Sequence, residues 1–103
     1  MKQLLKTSID QKILVELTFN TREGKLLTRT AAPMDYGPRR NWSSPEPHYH
    51  FMVVGSNSEL HPLSLKREKV VEIKPLPFKF MPDDLITWQP NWHYPRNWGE
   101  GYS

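Results

Sequence analysis

Lys12-Ile13-Leu14-Val15-Glu16-Leu17-Thr18-Phe19-Asn20 is the stretch that decides the fold. Ile13, Val15, Leu17 and Phe19 fall on one side of an extended chain, and Lys12, Leu14, Glu16 and Thr18 on the other. That is the period-two pattern of a strand with one buried face. Thr21-Arg22-Glu23-Gly24 follows as a turn, with a glycine free to take positive φ, and a second extended run starts at Lys25. Working outward, the second strand is expected over about Lys25 to Ala32, closed by Pro33, which has no N–H to give a ladder.

Asp35 to Pro47 reads as a long loop carrying Gly37, Pro38, Pro45 and Pro47, a length usually reserved for binding or mobility. A third strand is expected over His48 to Val54 and a fourth over Glu59 to Leu65, joined by the turn cluster Gly55-Ser56-Asn57-Ser58. Lys66-Arg67-Glu68 makes a charged turn before a fifth strand over Lys69 to Lys74. A short helix over Lys2 to Ile9, with Leu5 and Ile9 one turn apart, precedes them all. Five short strands with tight connections point to a small closed barrel of the SH3-like or Sm-like kind, because closure removes exposed sheet edges.

The chain has 103 residues, which suits one small core. It has no cysteine, so disulfides and thiolate metal sites are excluded. Neither a signal-like apolar leader nor a membrane span is evident, and a cytoplasmic location without membrane partners is the expectation. Fourteen basic residues against eleven acidic give a net charge of +3, but residues 1–80 carry +5 and residues 81–103 carry −2. A basic body permits attraction to polyanions without the dense stripe of a dedicated nucleic-acid binder.

From Pro75 onward the composition changes. Pro75, Pro77, Pro82, Pro90 and Pro95 interrupt any ladder, while Phe78, Phe80, Trp88, Trp92, Tyr94, Trp98 and Tyr102 supply large apolar bodies. The expected division is a barrel domain over 1–80 and a Trp/Pro-rich extension over 81–103, packed on the barrel or on a protein partner. Pro82-Asp83-Asp84 suits a single helical turn, since acids favour a helix start.

Leu5 to Phe19, the Gly24 turn, Arg29, Ala32-Pro33, then His50-Phe51-Met52-Val53-Val54, His61-Pro62-Leu63-Ser64-Leu65, Arg67 and Val70 to Ile73 together resemble the WYL domain over about residues 1–74. The family's Trp-Tyr-Leu falls on His50, Phe51 and Met52; His61 and Ser64 stand at two of its arginine positions, and Arg67 matches a third after a short insertion. The resemblance implies an Sm-like barrel of the kind found in bacterial regulators, sensing nucleic-acid-type or other negatively charged ligands. No DNA-reading helix pair fits within the first eleven residues.

Three groups of residues are candidates for chemistry. Arg39, Arg40 and Trp42, with Tyr49, Phe51 and Arg67, combine charge with stacking surface and are the expected contacts of an anionic ligand, either single-stranded nucleic acid or a nucleotide-like molecule. Pro95-Arg96-Asn97-Trp98 echoes Pro38-Arg39-Arg40-Asn41-Trp42, so Trp88, Trp92, Arg96 and Trp98 are expected to dock a protein partner or to pack internally. His48, His50 and His61 share a face if Ser56 and Asn57 centre the turn, which would offer three imidazoles to Zn²⁺; a one-residue change of register removes His61 from that face. No nucleophile elbow, His-Glu-x-x-His helix or phosphate-cradling glycine loop is present, and adjacent Asp83 and Asp84 point apart. A binding module without cofactor, rather than an enzyme, is the expectation.

Overall fold

The structure is a computed structural model that describes residues 1–40, 45–55, 57 and 59–103. Helix α1, Lys2–Gln11, leads into five strands: β1 Ile13–Asn20, β2 Leu26–Pro38, β3 Pro47–Val54, β4 Leu60–Lys66 and β5 Val70–Lys79. A 3-10 turn, Arg67–Lys69, links β4 to β5, and a single helical turn, α2 Pro82–Leu85, follows β5. The strands form one antiparallel sheet in the order β4-β3-β2-β1-β5.

The sheet is open. A closed barrel was expected, but β4 and β5 share no ladder among the described residues and remain edges. Both edges carry devices against intermolecular pairing: Pro62 and Lys66 on β4, Pro75, Pro77 and Lys74 on β5. The same edge position explains why β5 runs well past Lys74. A proline facing solvent along its N side costs no ladder bond, so Val15 pairs with Pro75 and Ile13 reaches Lys79.

Strand β2 likewise continues through Pro33 to Pro38, and much of the expected long loop is strand. A register shift between Pro33 and Asp35 lets the proline sit in an interior strand, and pairing with β3 resumes from Asp35 with His50 to Pro38 with Pro47.

Pairing fixes the faces. Val15, Leu17 and Phe19 of β1 lie opposite or beside Ala31, Ile73 and Val70, and continue through Tyr49, Phe51 and Val53 of β3. These residues are buried, and Leu5 and Ile9 of α1 join them with no exposed surface. Each fully buried Leu, Ile or Phe contributes about 1.5–3 kcal/mol of transfer free energy, so this face supplies most of the folding drive. Helix α1 stops at Lys12, which takes a left-handed conformation (φ 56°) and returns its N–H to Ile9 O. Phe80 N–H then donates to Lys12 O at 2.9 Å, tying the end of β5 to that corner.

The extension beyond Phe80 belongs to the same core. Phe80, Leu85, Ile86 and Trp98 are buried in one cluster with the sheet and α1.

Candidate functional site

Opposite the core face, the sheet has two different surroundings. Along β1 and β5 it turns Thr18, Glu72 and Lys74 outward, with Thr18 and Thr28 hydroxyls 3.0 Å apart across the strands. At the β2–β3 end Trp88, Asn91, Trp92 and His93 of the extension stand against that face, beside His50, Met52, Pro62 and Ser64.

Asp35 attaches that cover. Its carboxylate accepts from the N–H groups of Tyr36 (2.9 Å), His93 (3.0 Å) and Tyr94 (2.9 Å), and Arg96 Nη2 lies 3.3 Å from Oδ1. The Asp35 and Arg96 side chains are 9% and 0% exposed. Arg96 also donates to the carbonyls of Tyr94 and Met34, and its guanidinium lies against both the Trp92 and the Trp98 ring, 4.0 and 4.5 Å from their centroids. Burial pulls the Arg96 pKa down to about 10, with Asp35 acting in the opposite direction, so the group remains charged at neutral pH. Trp98 completes the attachment: Nε1–H donates to Ile9 O at 2.8 Å, and the ring meets Phe80 edge-on at 5.4 Å.

A cleft of about 570 Å³ remains between this cover and the sheet. Arg39, Arg40, His50, Ser64, Trp88 and Asn91 are among its lining residues. Arg39 and Arg40 are exposed, Arg40 donates to Asn91 O, and Trp88 is 46% exposed. Asp35 is the only carboxylate among the described lining residues, and its oxygens already accept from four donors. The cleft is therefore electropositive, with an aromatic surface beside the charge.

Its floor is a hydrogen-bonded chain across three strands. His50 Nε2 lies 2.8 Å from Gly37 O on β2, and His50 Nδ1 lies 2.8 Å from Ser64 Oγ on β4. A carbonyl only accepts, so Nε2 carries the proton. Burial, the largest influence, holds the imidazole below its ordinary value of 6.5, although the Gly37 carbonyl and Asp35 favour the charged form. The neutral ring is therefore an acceptor at Nδ1. The His93 ring packs directly on Gly37: a Cβ there would come within 2.5 Å of it.

The expected ligand residues separate across the fold. Arg39 and Arg40 line the cleft, and Trp42 lies outside the described residues. Phe51 also borders the cleft, but its side chain is almost fully buried on the core face. Tyr49 is on that core face too, packed edge-on against Tyr36, and Arg67 donates to Val70 O in its own turn. Alternation along β3 thus directs Tyr49 and Phe51 away from the side that His50 faces.

The tail residues expected to contact a partner also separate. Arg96 and Trp98 are buried in their own chain, Trp92 is half-buried with Nε1–H on Tyr102 O, and Trp88 stays exposed. The three-histidine arrangement does not form. The ladder pairs Val54 with Leu60 and Val53 with His61, one residue away from the register that would align Met52 with His61. His61 consequently falls on the opposite face from His48 and His50, and no group of three metal-ligating side chains occurs among the described residues.

Sequence reasoning missed Asp35 and Ser64. Asp35 sits in the stretch read as loop, and Ser64 is one hydroxyl in an ordinary strand; only the β2–β3–β4 register gives either a role. No helix among the described residues is long and apolar enough to cross a membrane. Comparison of the chain with known protein families, curated proteins and solved structures returns no match.

Proposed function

We propose that the chain is a WYL-like binding module for an anionic ligand, a nucleotide-like molecule or single-stranded nucleic acid, acting in the cytoplasm in a regulatory role. The observation that carries this reading is the cleft. It joins two arginines to an exposed indole, and the lining carboxylate that could oppose an anion is already saturated. A guanidinium pair suits phosphate oxygens, and an indole face suits a flat base. A cavity of about 570 Å³ lies within the range, about 300–1,000 Å³, typical of small-molecule sites.

The second depression of the surface, about 660 Å³ around Thr28, Arg29, Val53, Glu59 and His61, offers no such bias, because Arg29 shares the wall with the oppositely charged Glu59, whose carboxylate lies 3.6 Å from His61. The reading is tested by titrating adenosine 5′-monophosphate and short single-stranded oligonucleotides while following tryptophan fluorescence, at low and raised salt. Saturable quenching that weakens with salt and is lost in Arg39→Ala/Arg40→Ala is expected. Absent or salt-insensitive binding contradicts it.

A further inference from the structure

The hydrogen-bond polarity of the cleft floor constrains what can occupy it, and the argument rests on the anionic-ligand reading above. Gly37 O fixes the proton of His50 on Nε2, which leaves Nδ1 as an acceptor in the neutral ring. Ser64 is 2.8 Å from Nδ1 and is the partner that can supply a proton there, so its O–H is committed to His50. A serine hydroxyl has one donor and two acceptor lone pairs. With the donor spent, Ser64 presents only lone pairs to the cleft that it lines. His50 has both ring nitrogens engaged and offers the ligand nothing.

The cleft therefore offers a ligand two different kinds of polar group. Arg39 and Arg40 give only donors, because a guanidinium has no acceptor. The Ser64 position gives an acceptor. An oxygen-rich anion placed across both would satisfy the arginines and face lone pair against lone pair at Ser64.

The geometry points to Ser64 as a specificity-determining residue that selects, among small anions, those carrying a hydrogen-bond donor such as an exocyclic amine or a hydroxyl away from the charged group. The ligand class is thus an anion whose phosphate or carboxylate meets Arg39 and Arg40, with a flat ring for Trp88 and an N–H or O–H for Ser64. A ligand that turns a bare carbonyl or C–H toward Ser64 leaves the hydroxyl lone pairs without a donor.

The test compares two probes, adenosine 5′-monophosphate and purine riboside 5′-monophosphate, which differ only by the 6-amino group. In the wild-type chain the amino-bearing probe is expected to bind about three- to tenfold tighter, the ratio of one net hydrogen bond. Ser64→Ala should bring that ratio close to one while retaining the binding that the arginines supply. Ser64→Thr keeps the hydroxyl and should restore the ratio. Far-ultraviolet circular dichroism and thermal melting of each variant establish that it is folded. Equal affinity of the two probes for the wild-type chain, or a preference that survives Ser64→Ala, overturns the inference and leaves the anionic cleft standing. Failure of both probes to bind overturns the anionic cleft itself and this inference with it.

Discussion

His50 shows how one side chain gains a function from what surrounds it. On the sheet surface an imidazole titrates near neutrality, but here it bridges Gly37 O and Ser64 Oγ beneath the cover of the extension. Burial disfavours its charged form, so the folded pKa lies below 6.5. Between the folded value and 6.5 the unfolded chain binds more protons than the native one. Stability contributed by neutral His50 is thus complete above pH 6.5 and is lost as the pH falls through the folded pKa. Titration of the His50 ring protons by NMR should give an apparent pKa below 6.5, and His50→Gln should flatten stability across that acidic window. A midpoint at or above 6.5 would contradict the assignment of Nδ1 as an acceptor. Nothing near His50 in the sequence announces this arrangement, because Gly37 and Ser64 are thirteen and fourteen residues away in opposite directions.

At the scale of elements, the extension depends on a buried ion pair. Arg96 has no exposed side-chain surface and Asp35 anchors it together with two N–H groups of the tail. Asp35→Ala would strand the guanidinium and those donors, and a loss of about 3–5 kcal/mol is expected from removing one partner of such a pair. Chemical denaturation with a two-state fit measures it; a loss below about 1 kcal/mol would show that the attachment does not depend on Asp35. The strands themselves were largely readable. Alternation identified β1 and β3, and turn residues bounded β4, since those signals come from one buried face and local backbone chemistry. The extents of β2 and β5 were not readable, because prolines there look like terminators. A bulge at Pro33–Asp35 and the free side of an edge strand accommodate them, and both depend on which neighbours a strand has. The register of His61 failed as a prediction for the same reason: a turn of uncertain length decides the face, and no local residue reports it.

For the whole molecule, one core carries both the fold and the cleft. Trp98 holds the tail to Ile9 and Phe80, Arg96 and Asp35 hold it to β2, and residues 88–93 then form the outer wall facing Arg39, Arg40 and Ser64. The electropositive character of the site was legible in the sequence as the basic pair Arg39-Arg40. Its position was not, because the opposite wall comes from residues about fifty positions away, brought there by a carboxylate in a segment that reads as loop. The measurement that addresses the account most directly is a map of backbone amide and indole NMR shifts during titration with adenosine 5′-monophosphate. Saturating changes at Arg39, Arg40, Ser64, Trp88 and Asn91 are predicted. Changes confined to the Glu59–His61 depression or to α1, or no change at millimolar nucleotide, would contradict it.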